Sequence, residues 1–296
     1  DNEKTKICSS FHCISQKHSY SSQGIYRFNS DSMMKEDEKK RSNDDLQGSF
    51  TKPTRPLPLQ QGGRVTDMVF WVAVISSQVV GLLCIALVVR WCQMYEGFGW
   101  EDPKQQFYYH PLLMVLGLVF CYGDAIIIYR VLSFMPKWIL KIIHAVLHVL
   151  AILLSSIALA AVLENHRRTK KADFYSLHSW IGIATFGMFA LQYLGSFVTF
   201  MLPWVPNVWR GRIMPFHTFF GVGLFVMAVG TAEMGLTEKL LWTENYTTTQ
   251  YLPKSVVGNS LGLCLVVFAF LIVFITTHTA YKRRPLPEEL PATPTN

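Results

Sequence analysis

The sequence lacks the cysteine patterns that define several classes of protein. Its six cysteines are scattered as Cys8, Cys13, Cys84, Cys92, Cys121 and Cys264. There is no Cys-x-x-Cys pair, no zinc-ligand spacing and no Cys-x-x-Cys-His segment. These absences exclude a disulfide scaffold, a zinc module and a cofactor attached covalently through Cys-x-x-Cys-His.

Charged residues are also scarce for a chain of this size. Of 296 residues, 16% are charged and 50% are hydrophobic, and the mean hydropathy is +0.24, whereas soluble domains carry about 25% charged residues. The formal net charge is +7, but most Lys and Arg residues flank apolar runs, and no basic stripe interleaved with aromatic residues occurs. We therefore expect an integral membrane protein and no nucleic-acid partner.

Charged residues are densest at the start of the chain, where residues 1–66 hold 19 of the 47. Residues 1–66 mix Ser, Asn, Lys, Asp and Glu, end in a proline-rich segment and show no helical or strand periodicity. They also lack the apolar core of a cleavable signal peptide. We predict a disordered polar tail over 1–66, a membrane domain over 67–284 and a short polar C-terminal tail over 285–296.

Six apolar spans follow, each long enough to cross a hydrocarbon core of about 30 Å as a helix. We place them at 68–91, 107–129, 138–163, 175–200, 213–236 and 256–280. The fold class is therefore an all-α membrane protein. Short connections predict that successive spans are antiparallel, and an even number of spans places both termini on one side.

The distribution of Lys and Arg indicates the orientation only weakly. The two faces carry nearly equal numbers, and Lys52 and Arg55 in the tail tip the balance towards cytosolic termini. The one glycosylation sequon, Asn245-Tyr246-Thr247, follows the fifth span on the opposite face. We expect both termini to be cytosolic.

Four histidines, His110, His144, His178 and His217, lie near the N-terminal ends of spans two to five. Because successive spans are antiparallel, His110 and His178 share one membrane face, and His144 and His217 share the other. One intramembrane histidine is usually a packed side chain, but four at matched depths indicate a site. His148, one turn after His144, could compete as a ligand, but its deeper position would break the depth match with His217. We interpret it as a residue that supports the ligand or packs beside it.

Two histidines at each level, on separate helices, suit a planar macrocycle held by axial imidazoles, whereas a structural zinc ion needs four ligands. We therefore predict two b haems, one in each leaflet of the membrane. His110 would pair with His178, and His144 with His217.

The segments around these histidines resemble the cytochrome b561 family of ascorbate-dependent transmembrane oxidoreductases. They are YYHPLLM, LKIIHAVLH, FYSLHSW and PFHTFFG, together with MGLTEKL, and the resemblance covers about residues 68–284. It implies a six-helix homodimer in which a central four-helix bundle holds two b haems. It also implies cytosolic ascorbate as donor, and monodehydroascorbate or a ferric chelate as acceptor on the far side. Plasma, endolysosomal and secretory-vesicle membranes all remain open.

The resemblance also implies a cytosolic ascorbate site, where cationic hydrogen-bond donors would bind the ascorbate monoanion. The corresponding basic residues are Arg130, Lys137, Lys141, Arg210 and Arg212. Interfacial Lys and Arg are also common topology anchors, and this alternative applies most to Arg130 and Arg212.

On the far side the resemblance implies a substrate site at His166 and Tyr175, above His110 and His178. His166 could accept a proton or ligate a metal ion, and the alternative is an ordinary loop histidine. The basic run over 167–171 is either a solvated surface or a funnel for anionic substrates.

Two acidic residues within the spans, Asp124 and Glu233, have no role in this interpretation. The alternative function is a proton or metal-ion transporter in which they form a relay with the histidines. A relay needs ionisable groups through the midplane, whereas the histidines cluster at two depths, so we favour electron transfer.

Overall fold

The structure, a computed structural model, describes residues 63–244 and 252–290, and it confirms six helices long and apolar enough to span a membrane. No strand occurs in these two ranges. The helices are α1 (Arg64–Gln93), α2 (Pro103–Val131), α3 (Lys137–Thr169), α4 (Leu177–Met201), α5 (Asn207–Thr243) and α6 (Pro253–Thr277). The predicted tail up to residue 62 and the sequon at Asn245 lie outside the described residues.

Most of the helices are longer than hydropathy predicts. For example, α5 begins at Asn207 rather than at 213 and ends at Thr243 rather than at 236, because polar end residues continue a helix beyond the apolar core. By contrast, α4 starts two residues later than predicted, after a capping box in which Ser176 and Ser179 each accept the other's backbone N–H.

Helices α2 to α5 form the predicted central bundle. Extensive packing joins α2 to α3 and α4 to α5, while α1 packs along α6 and this outer pair covers α2 and α5. Large buried side chains such as Trp91, Phe225 and Phe268 fill the space between the outer pair and the bundle. The outer pair therefore adds a second apolar layer on one side of the central bundle.

One feature of α2 has no counterpart in the sequence prediction. Between α-helical segments the chain makes a π-helical stretch, Val115–Cys121, of the kind often found at functional sites. Gly117 lies within it, and a Cβ there would approach the carbonyl oxygen of Ala151 in α3 to 3.1 Å. The missing side chain thus allows close packing of α2 on α3.

Residues 282–290, the C-terminal segment, include the start of the predicted C-terminal tail and fold back onto the helical part of the membrane domain. Arg283 makes a two-pronged ion pair with Glu289, with N–O distances of 2.7 and 2.8 Å, and donates to the carbonyl of Met135. Glu289 also accepts the backbone N–H of Lys137 at the start of α3. Together with Lys137 and Lys141 it lines a cleft.

The Glu289 contact predicts how the C-terminal segment responds to pH. Hydrogen bonds from Arg283 lower the pKa of Glu289 to about 2 from an ordinary 4.5. A lowered pKa stabilises docking above pH 4.5, and this contribution is lost as the pH falls through about 2. We expect the segment to stay docked at pH 4, whereas Glu289→Gln should undock it at every pH. Hydrogen exchange over 282–290 measures this, and equal exchange in variant and parent would contradict it.

Candidate functional site

The structure brings the four histidines together in two pairs of matching geometry. The ring centres of His110 on α2 and His178 on α4 lie 6.1 Å apart, and the ring planes cross at 89°. The rings of His144 on α3 and His217 on α5 are also 6.1 Å apart and cross at 74°. Each pair joins two helices that are not neighbours along the chain.

In all four histidines the Nδ1 atom already has a partner. In three of them it is a carbonyl oxygen: Ala158 for His110 at 3.2 Å, Ala125 for His144 at 2.7 Å and Thr231 for His178 at 2.9 Å. A carbonyl only accepts, so these Nδ1 atoms carry the proton and Nε2 is left as a lone-pair donor.

His217 differs from the other three because its Nδ1 bonds to a side chain. The partner is the hydroxyl of Ser196 on α4, at 2.9 Å. Gln192, one turn earlier on α4, donates to the His217 backbone carbonyl. Two polar groups of α4 therefore hold the position of His217.

This geometry fits an iron ion between the two imidazoles of each pair. A metal–nitrogen distance of about 2.0 Å, plus half an imidazole ring on each side, puts the ring centres about 6 Å apart. Metal-ligating histidines usually donate their other N–H to a carbonyl or carboxylate, as three of these do. The residues present thus fit a b haem at each pair.

A cavity of about 460 Å³ lies beside His110 and His178 and is lined mainly by apolar side chains. The small residues Gly182 and Gly235 form part of its wall. A Cβ at Gly235 would come within 2.7 Å of the His178 ring. Glycine at this position therefore leaves room for the imidazole.

His148 lies next to His144, one turn later on α3. Its ring is buried 4.4 Å from that of His144 and also contacts Tyr122 and Phe189. Its Nδ1 has no hydrogen-bond partner among the described residues. These contacts support its interpretation as packing.

The structure separates the five predicted cytosolic-site residues into two groups. Lys141 donates to the carbonyl of Phe200 at 2.8 Å, and Arg210 donates to that of Leu202 at 2.7 Å. Both acceptors lie at the C-terminal end of α4, so both cations reach that end of the helix, and Lys137 lies one turn before Lys141 on α3. The Phe200 ring also packs 5.2 Å from His217.

Arg130 and Arg212 point elsewhere. Arg130 donates to the carbonyls of His278 and Thr276 at the end of α6. Arg212 is exposed, with its guanidinium 5.4 Å from the ring centre of Trp209. These contacts favour the anchoring interpretation for both residues.

At the opposite face, His166 and Tyr175 both line the cavity next to His110 and His178. Tyr175 is 88% exposed. His166 Nδ1 lies 2.9 Å from a carboxylate oxygen of Asp173. No sequence motif marks Asp173, because it is a single acidic residue in the loop between α3 and α4.

The two acidic residues inside the spans face the outer helices. Asp124 accepts a hydrogen bond of 2.8 Å from Gln78 on α1, and the Glu233 carboxylate lies against Gly262 on α6. No cluster of three or more His, Cys, Asp or Glu residues that could hold a metal ion occurs in the described part of the chain. This placement gives no support to a relay that connects the histidine pairs.

Comparison with known proteins identifies similar chains. The sequence model described as eukaryotic cytochrome b561 matches residues 109–243. The Bos taurus transmembrane ascorbate-dependent reductase CYB561 is 42% identical over 214 residues, which cover 72% of this chain and 84% of the relative. The Homo sapiens lysosomal membrane ascorbate-dependent ferrireductase CYB561A3 is 36% identical, with coverage of 72% and 91%. The Rattus norvegicus plasma membrane ascorbate-dependent reductase CYBRD1 is 37% identical, with coverage of 73% and 77%.

The close approach at Gly235 predicts a selective effect of a single methyl group. Gly235→Ala should displace the His178 ring and lower the haem content of the purified protein towards half, since one of two pairs is disturbed. Gly230→Ala on the same helix is the control, because a Cβ there meets nothing within 4 Å. Absorbance of haem per polypeptide gives the answer, and equal content in the two variants would show that the ring tolerates the methyl group.

Proposed function

The chain belongs to the eukaryotic cytochrome b561 family, and we propose that it is a transmembrane reductase that uses cytosolic ascorbate as electron donor. Electrons would pass through two b haems to an acceptor at the opposite face, either monodehydroascorbate or a ferric chelate. The observation that carries the proposal is the pair of matched histidine sites, one towards each face, with the same 6.1 Å separation.

The protein's own residues prepare each site for a haem. Family membership implies haem b, and the number of haems and their ligands are our proposal: His110 with His178, and His144 with His217. Each haem, when bound, supplies a one-electron iron couple. Hydrogen bonds from Nδ1 to carbonyls orient the imidazoles of His110, His144 and His178 and raise their basicity, and mainly apolar side chains line the cavity beside His110 and His178.

For the donor site we propose Lys141 and Arg210, with Lys137 at its edge. Their cationic groups would bind the ascorbate monoanion through charge-assisted hydrogen bonds. Phe200 supports this assignment, because its carbonyl holds Lys141 and its ring packs on His217. The face that carries the described C-terminal segment would then be cytosolic.

For the acceptor site we propose the cavity above His110 and His178, with His166 and Tyr175 at its mouth. Relatives are named as a reductase and as a ferrireductase, so both kinds of acceptor stay within the proposal. The homodimer implied by the family resemblance also stays a prediction. So does the choice among plasma, endolysosomal and secretory-vesicle membranes.

Double variants test the proposed pairing of the ligands. Each single His→Ala variant should keep about half the haem. His110→Ala with His178→Ala should also keep half, because both residues serve one haem, whereas His110→Ala with His144→Ala should lose nearly all of it. His278→Ala, at the end of α6, is the control and should keep both haems. Equal haem content in the two double variants would refute the pairing.

Removal of the Lys141 charge tests the donor site. A lost charge-assisted hydrogen bond costs about 1.5–3 kcal/mol, which weakens binding about tenfold to a hundredfold. Lys141→Gln should therefore raise the ascorbate concentration needed for half-maximal haem reduction by that factor and leave reduction by dithionite intact. Lys282→Gln, an exposed cation of the C-terminal segment, is the matched control. Unchanged ascorbate kinetics in Lys141→Gln would leave this lysine as a structural anchor.

A further inference from the structure

The loop between α3 and α4 turns back so that Asp173 reaches His166. Lys170 ends α3 with a left-handed backbone, φ 56°, and Phe174 has φ 53°. The backbone N–H of Lys171 donates to the His166 carbonyl at 2.9 Å. The indole of Trp180 on α4 donates to the Phe174 carbonyl at 2.8 Å. These two bonds hold the loop at both ends, and Asp173 lies between them.

The histidine and the carboxylate lie at the border between the cavity and the exterior. Both line the cavity that contains His110 and His178, and their side chains are 23% and 45% exposed. Lys171 lines the same cavity. Glu164 is paired instead with Arg167 at 2.6 Å, and Arg167 is 78% exposed. Of these two neighbouring acidic residues, therefore, only Asp173 bonds to His166.

We propose that Asp173 is a positioning residue that makes His166 the proton-transfer group of the acceptor site, an inference that rests on the proposed function. Its carboxylate accepts the Nδ1–H of His166, fixes the orientation of the ring and leaves Nε2 as the nitrogen that exchanges a proton with a molecule in the cavity.

Reduction of monodehydroascorbate consumes a proton, whereas reduction of ferricyanide does not. Monodehydroascorbate, a radical anion, gains one electron from the proposed electron path and one proton from Nε2 of the doubly protonated His166, and becomes the ascorbate monoanion. His166 returns to its neutral form and is reprotonated by water at the exposed mouth of the cavity. An acceptor such as ferricyanide gains an electron only and has no open position for a histidine ligand. The two acceptors therefore separate proton transfer from electron transfer.

The experiment compares reoxidation of the reduced, haem-loaded protein by these two acceptors, with the radical generated by pulse radiolysis. In Asp173→Asn the amide can donate to Nδ1 and favour the tautomer that carries its proton on Nε2. Reoxidation by monodehydroascorbate should slow about tenfold, the lower end of the range for lost supporting hydrogen bonds. Reoxidation by ferricyanide should not change. Asp173→Glu should restore most of the rate, and Glu164→Gln should match the parent.

The variant His166→Ala, measured in the same way, distinguishes a failure of the Asp173 role from a failure of the acceptor site. If His166→Ala is slow with monodehydroascorbate and Asp173→Asn is not, the role of Asp173 is refuted while the proposed acceptor site stands. If His166→Ala also matches the parent, the acceptor site at this cavity fails, and the inference fails with it. If Asp173→Asn slows ferricyanide as much as monodehydroascorbate, the substitution acts on electron transfer or on the fold, and proton positioning is refuted.

Discussion

Hydrogen bonds at the four imidazole Nδ1 atoms tie neighbouring helices of the bundle together. His110 on α2 bonds to a carbonyl of α3, and His144 on α3 bonds to one of α2. His178 on α4 bonds to α5, and His217 on α5 to α4. Each of the helix pairs α2–α3 and α4–α5 is thus joined reciprocally, at two depths. The facing imidazole rings then connect one pair to the other, so the residues that would bind haem also relate the four helices.

The two ends of this bundle are built differently. At the end near the described C-terminal segment, Lys141 and Arg210 use part of their donor capacity on main-chain carbonyls at the end of α4, where a cation is also favoured by the helix dipole. At the other end an open cavity is bordered by a histidine and its carboxylate partner. Fixed cations suit recognition of an anion, and an oriented histidine suits proton exchange. This difference agrees with the proposed direction of electron flow.

The outer helices α1 and α6 lie against the two acidic side chains that the spans of the bundle contain. Asp124 is bonded to Gln78 on α1, and Glu233 is accommodated beside a glycine of α6. Acidic groups within membrane spans usually face the bundle interior and are paired; Asp124 has such a partner, whereas Oε1 of Glu233 is buried without a hydrogen bond among the described residues. Both carboxyl groups face the interface with this outer pair rather than the two histidine sites. Their position is consistent with a role in helix packing.

The number of spans, their antiparallel order and the depth of the four histidines were all predictable from the sequence. Hydropathy over about 20 residues reports a span directly, and antiparallel order then places His110 level with His178, and His144 level with His217. The partners of Nδ1 were not predictable, because three of them are backbone carbonyls that any residue type provides. The tertiary structure alone placed Arg130 on carbonyls of α6, and Lys141 and Arg210 on carbonyls at the end of α4, since an interfacial position does not identify a side chain's hydrogen-bond partner. It also placed Asp173 on His166, through two left-handed residues in a loop whose path depends on how α3 and α4 pack.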